Sequence, residues 1–339
     1  MKTLGLSCYF HDAAAALVMD GAVVAAAEEE RFTRVKHDSR FPERAIDFCL
    51  DHAGLTAADL DAVVFYEKPL TKFQRMVGVA RRHEPESWPA FAKKLVRQRH
   101  EGGALEERLR SELGYAGPIW YTEHHVAHGA SAFYCSPFDR AAVVTIDGVG
   151  ERATTTIGLG DGAHYRVLAE LEYPVSLGLF YSAMTAYLGF AVNSDEYKVM
   201  GLASYGHPRF LAQLDRVLHV GEDDLIAVDM SYFTYHVSDT RMYSPKLEAL
   251  LGPAHLPGVT AGQREMDIAA SVQAKLEQAL SALLRTAHQR TGETNLCLAG
   301  GVALNGVANW RCFQSSPFEQ VFIPPAAGDS GGAIGAALF

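Results

Sequence analysis

The sequence contains few cysteines, and they are scattered. Among 339 residues there are five cysteines, and no two of them have the Cys-x-x-Cys spacing. An odd number of isolated cysteines argues against a disulfide framework and against a cysteine-rich zinc site. We expect these residues to be small buried side chains in a reducing compartment.

Long apolar runs and an excess of positive charge are also absent. No stretch approaches the roughly 20 apolar residues that a transmembrane helix needs. The opening MKTLGLSCYFHD places polar residues where a signal peptide has its apolar segment. A formal net charge of −10 disfavours nucleic acid as a partner, because phosphate backbones attract clustered Lys and Arg. These features predict a cytoplasmic protein that binds neither membrane nor nucleic acid.

The chain does contain an internal repeat. TLGLSCYF, AAAALVM and AVVAAAEEE predict strands joined by a polar turn and an Asp-Gly hairpin, and AAVVTIDG, ATTTIGLG and YRVLAELEY repeat that order. Chance similarity of two β-meanders is the alternative. Helices and strands alternate after each meander, which predicts an α/β protein with duplicated ribonuclease-H-like domains. In such actin-like ATPase folds the two opening hairpins face each other across a nucleotide cleft.

This pattern divides the chain into a first half at 1–140 and a second half at 141–339. The first half includes a charged, helical insertion at about 70–113. In the second half, TNLCLAGG and EQVFIPP predict buried strands, each followed by a glycine-bearing loop and a helix.

A cluster of histidines lies in EHHVAHGASAFY. His124 and His128 are four residues apart, so on a helix they share one face and can bind one metal ion. The alternative is a pair of ordinary structural histidines. The pair lacks the glutamate of His-Glu-x-x-His, so a zinc protease has no general base here. His125 would point elsewhere.

Two aspartates strengthen the metal hypothesis. Asp147 ends a predicted strand in TIDGVGE, and Asp329 follows another in PPAAGDSGGAIG, where ligand sites often lie. Two imidazoles and two carboxylates suit iron, zinc or manganese. Alternatively, each aspartate caps the turn that follows it.

Two further segments have open interpretations. Gly300 and Gly301 in LAGGVALNG form an anion-binding turn or a plain strand-to-helix turn. ERFTRVKHDSRFPER is a solvated basic face or an anion-binding edge of the cleft. Its basic residues are Arg31, Arg34, Lys36, Arg40 and Arg44.

Several of these motifs resemble one family. LGLSCYFHDAAAALVMDGAVVAAAEEERFTRVKHD, EHHVAHGASAFYCSPF, EYKVMGLASYG, LAGGVALNGVANW and PPAAGDSGGAIGAAL are similar, in this order, to O-carbamoyltransferases of the NodU/CmcH family. These enzymes decorate nodulation factors, cephalosporins and aminoglycosides. The resemblance covers essentially the whole chain and favours the metal interpretation of the histidines.

The resemblance implies a nucleotide-binding transferase with one metal. The metal would be Fe²⁺, with Zn²⁺, Mn²⁺ or Mg²⁺ as alternatives, on ligands His124, His128, Asp147 and Asp329. ATP and carbamoyl phosphate would give carbamoyl-adenylate, whose carbamoyl group passes to a hydroxyl of a small-molecule acceptor. The nucleotide would contact Gly300, Gly301 and Asn305, between turns at Asp12 and Gly148. His11 and Lys36 would act at the carbamoyl end, His11 by taking the acceptor's proton.

One departure from the family is clear. Its members continue into a YrdC-like domain that makes carbamoyl-adenylate, and this chain stops at GAIGAALF without it. Such a domain or subunit is therefore an expected partner. Two alternatives stay open: a transferase like those of tRNA threonylcarbamoyladenosine synthesis, and a non-catalytic nucleotide- and metal-binding half.

Overall fold

The computed structural model describes residues 1–102, 104–221 and 226–339. Within them the strands are β1 (Lys2–Ser7), β2 (Ala14–Met19), β3 (Ala22–Glu28), β4 (Ala62–Phe65), β5 (Ile119–Tyr121), β6 (Arg140–Ile146), β7 (Ala153–Asp161), β8 (His164–Glu172), β9 (Leu218–Val220), β10 (Ile226–Val228), β11 (Asn295–Ala299) and β12 (Gln320–Phe322). The helices are α1 (Glu30–Thr33), α2 (Glu43–Ala53), α3 (Pro69–Arg82), α4 (Trp88–Gly102), α5 (Ala104–Ser111), α6 (His124–Tyr134), α7 (Leu177–Tyr187), α8 (Glu196–Ala203), α9 (Leu211–Leu214), α10 (Pro245–Leu251), α11 (Gln263–Thr291), α12 (Gly306–Gln314) and α13 (Gly332–Leu338). Single 3-10 turns lie at Ala57–Asp59, Met230–Tyr232, Gly301–Leu304 and Asp329–Gly331.

Two five-stranded sheets share one strand order. The first is β3-β2-β1-β4-β5 and the second is β8-β7-β6-β11-β12, with β9 and β10 paired separately. In each sheet an antiparallel meander is extended by two parallel strands beside its first strand. This repeated topology is the duplicated ribonuclease-H-like fold, so the predicted fold class is confirmed.

The central strands are buried, and one predicted buried strand is not. In β1 and β6 every residue after the first is buried, as continuous apolar runs predict. The segment EQVFIPP was expected to be equally buried, but β12 is an edge strand. Gln320 is exposed and Val321 and Phe322 are half-buried. Apolar composition alone does not distinguish an edge strand from a central one, because strand order depends on long-range pairing.

Two helices connect the halves. α6 packs on β6, β7, β8 and β11, whereas α13, at the other end of the second half, packs on β1, β2 and β4. The two helices also pack on each other, and a Cβ at Gly335 would lie 1.8 Å from the carbonyl oxygen of Ala127. Only glycine permits this approach. The division at residue 140 stays a prediction, since α6 precedes it yet packs on the second sheet, and α13 follows it yet packs on the first.

The charged segment between β4 and β5 forms α3, α4 and α5. A cavity of about 860 Å³ lies between these helices and the second half. Among the described residues, no helix is long and apolar enough to cross a bilayer.

Candidate metal centre

Four candidate ligands meet where the halves join. α6 begins at His124 because the preceding Glu123 is extended, and the helical spacing puts His124 and His128 on one face. Asp147 directly follows β6, and Asp329 opens the turn that leads into α13. All four side chains are buried, and one ligand atom from each lies within 4.8 Å of the others. The structure thus brings together the four residues that the sequence predicts as metal ligands.

The ligand atoms have the spacing that one metal ion requires. Nε2 of His124 lies 3.0 Å from Nε2 of His128 and 3.0 Å from Oδ2 of Asp147. Oδ1 of Asp329 lies 3.5 Å from both imidazole nitrogens. Two nitrogen ligands at about 2.0–2.1 Å from one ion are about 3 Å apart, so these distances fit a single ion.

The electrostatics of the cluster favour a cation. Two carboxylates buried together are costly unless positive charge accompanies them. Burial lowers the pKa of His124, but the hydrogen bond with Asp147 and the charge of Asp329 outweigh it and raise that pKa to about 9. Burial acts against ionisation of Asp147, yet the imidazoles hold its pKa well below its usual range. The carboxylates therefore attract positive charge to the point where the imidazoles meet.

The donor set fits a first-row divalent metal. Nδ1 of His124 and Nδ1 of His128 are buried and have no hydrogen-bond partner among the described residues. When each Nδ1 carries the ring proton, both Nε2 lone pairs face the carboxylates, as ligation requires. Two imidazoles and two carboxylates then suit iron, zinc or manganese, and the donor set does not select one of them.

A buried glutamate that the sequence did not indicate holds the start of α6. Both carboxylate oxygens of Glu151 lie 3.1 Å from the backbone nitrogen of His124. One of them also accepts a hydrogen bond from the backbone nitrogen of Lys68 at 2.6 Å. A carboxylate at a helix N-terminus is stabilised by the helix dipole and by the free N–H groups. Glu151 therefore fixes the position of the first candidate ligand.

His125 lies outside the ligand group, as expected from its place on the helix. Its Nδ1 lies 2.7 Å from Oγ1 of Thr145 on β6. Burial, and then the charges of His124 and His128, hold the pKa of His125 well below its usual range. This histidine is a neutral packing residue between α6 and the second sheet.

The glycine turn after β11 is hydrogen-bonded to one of the candidate metal ligands. The backbone nitrogen of Gly301 donates a hydrogen bond to Oδ1 of Asp147 at 2.9 Å, which leaves Oδ2 directed at the imidazoles. Gly300 has a φ of 91°, and a Cβ there would lie 2.3 Å from the carbonyl oxygen of Ile146. Both facts require glycine. Asp147 thus accepts a hydrogen bond from the turn after β11, which is not the turn that follows Asp147 in the chain, and it also faces the candidate metal.

Asn305 occupies a capping position. Its Oδ1 accepts a hydrogen bond from the backbone nitrogen of Ala308 at 3.0 Å and begins α12. Its amide also pairs reciprocally with that of Gln273, at 2.9 and 3.0 Å. The plain strand-to-helix function of this turn is therefore present, and nucleotide contact at Gly300, Gly301 and Asn305 stays a prediction.

The first polar turn contains a carboxylate between two imidazoles. Oδ2 of Asp12 is 2.9 Å from Nδ1 of His11, and Oδ1 is 2.8 Å from Nδ1 of His37. Nε2 of His11 lies 2.6 Å from the carbonyl oxygen of Asn193. Burial lowers the pKa of His11, but Asp12, the Asn193 carbonyl and the charge of Asp329 raise it to about 9. Both ring nitrogens of His11 therefore carry protons in this arrangement.

His37, like Glu151, belongs to the site but was not predicted from the sequence. Backbone hydrogen bonds from Tyr9 to Ser39 (2.6 Å) and from Ala13 to Asp38 (2.8 Å) hold its segment against the first turn. This long-range pairing has no periodic signal in the sequence, although His37 follows Lys36 directly.

Lys36 lies on the surface and reaches the second half. Its Nζ lies 3.2 Å from Oγ of Ser194, next to the residue that contacts His11. The neighbouring basic residues differ, since Arg31 pairs with Glu28 and Arg40 pairs with Asp38. Two of the five basic residues are thus ion-paired within the first half, and Lys36 links the segment to the second half.

The turns that carry Asp12 and Gly148 border one space. Phe10 from the first turn and Val149 from the second line the same cavity. The carbonyl oxygen of Gly148 accepts a hydrogen bond from Ser176 at 2.7 Å. Nucleotide contact at Asp12 and Gly148 stays a prediction.

Residues 2–338 match the family described as Carbamoyltransferase N-terminus. The chain belongs to this family. The resemblance to O-carbamoyltransferases is thereby confirmed at the level of the family.

Two relatives of this carbamoyltransferase-family chain are longer than it is. An uncharacterized protein of Synechocystis sp. is 46% identical over 99% of this chain and 56% of its own length. The nodulation protein NolNO of Sinorhizobium fredii is 36% identical over 97% of this chain and 46% of its own length. The chain thus spans about half the length of these curated relatives.

A solved structure shares the fold. Component A of the (R)-2-hydroxyglutaryl-CoA dehydratase of Acidaminococcus fermentans superposes with a TM-score of 0.50. The match covers 100% of this chain and 96% of that one, at 15% identity. At this identity the likeness concerns the fold alone.

Proposed function

We propose that the chain is the transferring part of an ATP-dependent O-carbamoyltransferase. Carbamoyl-adenylate, formed from ATP and carbamoyl phosphate, would give its carbamoyl group to a hydroxyl of a small-molecule acceptor, and AMP would leave. Membership of the carbamoyltransferase family supports the nature of the transferred group. Because the chain spans about half the length of its relatives, formation of carbamoyl-adenylate is assigned to a YrdC-like domain or subunit.

The observation that carries this proposal is the proximity of two clusters. His11 and Asp12 lie in the turn between β1 and β2, and both strands contact the 3-10 turn that begins at Asp329, whose charge raises the pKa of His11. The Gly301 backbone nitrogen meets the same centre through Asp147. A donor that carries a phosphate next to a reactive carbonyl needs positive charge, backbone N–H groups and a proton acceptor within one small space.

The candidate metal ligands and the neighbouring turns would each bind a different part of the donor. A divalent metal on His124, His128, Asp147 and Asp329 would neutralise phosphate charge and orient the donor. The backbone of the Gly300–Gly301 turn and the Asn305 cap would border the nucleotide, between the turns at Asp12 and Gly148. Lys36 would stabilise negative charge that develops on the leaving phosphate.

His11 would take the proton of the acceptor hydroxyl. Its Nε2 must first leave the Asn193 carbonyl, 2.6 Å away, and lose its own proton. Asp12 then holds Nδ1 and stabilises the imidazolium that re-forms, as in a hydrolase triad. Because the pKa of His11 is about 9, the base form is scarce at neutral pH, and we expect the transfer rate to rise as the pH approaches that value.

The acceptor is proposed to be a small molecule rather than tRNA. The net charge of −10 opposes binding to a phosphate backbone. Within the basic segment, Arg31 and Arg40 are already paired with carboxylates.

The test supplies the activated donor directly. We expect the chain to transfer carbamoyl groups from preformed carbamoyl-adenylate to some member of a panel of hydroxylated acceptors. His11→Ala should abolish the product, and His164→Ala, at an exposed position on β8, should not. Turnover of ATP and carbamoyl phosphate by the chain alone would contradict the assigned division of labour. No transfer from carbamoyl-adenylate by the unaltered chain would favour a non-catalytic binding half.

A further inference from the structure

The large cavity has the composition of a small-molecule site. Its volume is about 860 Å³; α3 and α4 form one wall, and residues 235–243 form the other. Several aromatic side chains line the space between them, including Phe91, Tyr173 and Tyr235. Apolar cavities of ~300–1,000 Å³ with a few polar groups are typical ligand sites. Phe10 and Asn193, which adjoin His11, line the same cavity.

Arg75 puts a positive charge on this wall, and no carboxylate among the described residues is hydrogen-bonded to its Nε. Its Nε is buried, with no hydrogen-bond partner among the described residues. Its Cζ lies 4.9 Å from the ring centroid of Tyr173, which orients the guanidinium without neutralising it. Burial lowers the pKa of Arg75 against the attraction of Tyr173, Glu67 and Glu151. A guanidinium in this position gains free energy from any anion that reaches it.

Two lysines that line the same cavity differ from Arg75, because each of them is paired with a carboxylate. Lys72 lies 2.9 Å from both carboxylate oxygens of Glu67, and Lys93 lies 2.8 Å from the carboxylate of Asp239. These two positive charges are balanced, so they add little to the potential at Arg75.

Two other groups in the cavity lie in the positive potential near Arg75. Desolvation in the cavity, followed by the charge of Arg75, lowers the pKa of Lys94. Burial, followed by the charges of His83 and Lys94, lowers the pKa of His236 to about 4. Nδ1 of His236 is buried, without a hydrogen-bond partner among the described residues. His236 is therefore neutral at pH 7, whereas Lys94 adds a second positive charge near Arg75, and this charge favours an anionic ligand.

We propose that this cavity binds an amphipathic organic acid, with its carboxylate on Arg75 and its apolar body against the aromatic wall. The planar guanidinium matches a carboxylate through two parallel hydrogen bonds. The rings of Phe91, Tyr173 and Tyr235 cover an apolar body, which a small hydrated anion lacks. The inference is therefore specific for an acid group on an apolar frame.

The acid is assigned as the carbamoyl acceptor, and this step rests on the proposed function. Nζ of Lys72 lies 5.1 Å from the ring centroid of Phe10, and Phe10 precedes His11 in the chain. Arg75 follows Lys72 by about one helical turn of α3, a rise of about 5 Å. A molecule of moderate length can therefore place its carboxylate on Arg75 and its hydroxyl towards His11.

Binding can be tested without any transfer reaction. Calorimetric titrations would compare 2-naphthylacetate, its neutral carboxamide 2-naphthylacetamide, and 2-naphthyl phosphate, with the unaltered chain and with Arg75→Met. Lys93→Met is the matched control, because it removes a cation from the same cavity that is already paired with Asp239. We expect the chain to bind the carboxylate at least tenfold more tightly than the carboxamide. Arg75→Met should abolish this preference while keeping the affinity for the carboxamide, and Lys93→Met should keep the preference.

The outcomes separate the alternatives. A chain that binds none of the probes, or binds the acid and the amide equally, overturns the proposal. So does a preference that survives in Arg75→Met. Tighter binding of the phosphate than of the carboxylate overturns the choice of carboxylate. Loss of an unpaired buried charge should not lower the melting temperature of Arg75→Met, whereas a purely structural arginine would make it fall.

The assignment as acceptor has its own readout. With carbamoyl-adenylate as donor, hydroxylated naphthoic acids should be carbamoylated with a lower KM than their amides. Arg75→Met should raise the KM for the acid at least tenfold and leave kcat nearly unchanged, because Arg75 contacts the acceptor away from the reacting hydroxyl. Acid binding without any transfer would leave the cavity assignment standing and reject the proposed function. Transfer with equal KM values for acid and amide would leave the proposed function standing and reject the assignment of the acid as the acceptor.

Discussion

Glu151 is expected to control both the stability of the fold and its affinity for metal. Its buried carboxylate accepts hydrogen bonds from the backbone nitrogens of His124 at 3.1 Å and Lys68 at 2.6 Å. Glu151→Gln keeps the volume, but it removes the charge and turns one oxygen into an N–H donor that faces another donor. A hydrogen bond to a charged group contributes about 1.5–3 kcal/mol. We therefore expect the free energy of unfolding to fall by about 2 kcal/mol, against a usual total of roughly 5–15 kcal/mol.

The same change should weaken metal binding through His124. This residue opens α6, so its imidazole follows any shift of the first helical turn. Loss of a group that orients a ligand typically costs about 10–100-fold in metal affinity. Urea unfolding with a chelator present would measure stability, and competition with a chromogenic chelator would measure the affinity for Zn²⁺ and Fe²⁺.

Glu123→Gln is the matched control. Glu123 precedes the same helix, and its carboxylate pairs with Nζ of Lys68 at 3.0 Å, but its side chain is 55% exposed. Exposed pairs contribute about 0–1 kcal/mol, so this variant should change the unfolding free energy and the metal affinity little. Equal effects of the two substitutions, or no effect of Glu151→Gln on either quantity, would refute the role assigned to the buried carboxylate.

Three further predictions concern the ligands, the first turn and the glycine turn. His128→Ala should reduce bound metal from about one ion per chain to a small fraction, and equal metal content by elemental analysis would remove it from the ligand set. Because the pKa of His11 rises from 6.5 to about 9 on folding, its interaction stabilises the fold fully below pH 6.5 and is lost as the pH rises to about 9. Unfolding measured across this window should show a loss of at most about 3 kcal/mol, which Asp12→Asn should largely remove. Gly300→Ala should lower the unfolding free energy by about 3 kcal/mol or more, because the new Cβ meets the Ile146 carbonyl at 2.3 Å. Gly162→Ala, with a positive φ but open space, should cost about 1 kcal/mol, and similar losses in both variants would contradict the steric argument.

The candidate ligands were predictable because local rules place them. Helical spacing joins His124 to His128, and Asp147 and Asp329 follow predicted strands, whose ends meet at one edge of a parallel arrangement. The repeated meander gave the fold class for the same reason, since its alternation and hairpin signals are local. The edge position of β12 was missed, because strand order follows from long-range pairing.

Other parts of the site depend on contacts that no local pattern encodes. Glu151 acts from a loop on backbone nitrogens of two distant segments, and His37 reaches Asp12 through the pairing of its neighbours with the first turn. Arg75 belongs to a segment whose charges predict only a solvated helical face. Its position in the cavity wall becomes apparent only in the folded chain, where the ring of Tyr173, from the second half, lies against the Arg75 guanidinium.

Because of the way α6 and α13 pack, the candidate metal centre connects the two halves. The two histidines lie on a helix that packs on the second sheet, whereas Asp329 leads into a helix that packs on the first. An ion bound by all four ligands therefore stabilises one relative placement of the sheets. Glu151 extends this connection, because it holds the first residue of α6 and its charge also acts on Arg75 in the cavity wall. We expect an anion at Arg75 and a metal ion on the four ligands to alter each other's affinity through Glu151, and any such coupling must be equal in both directions.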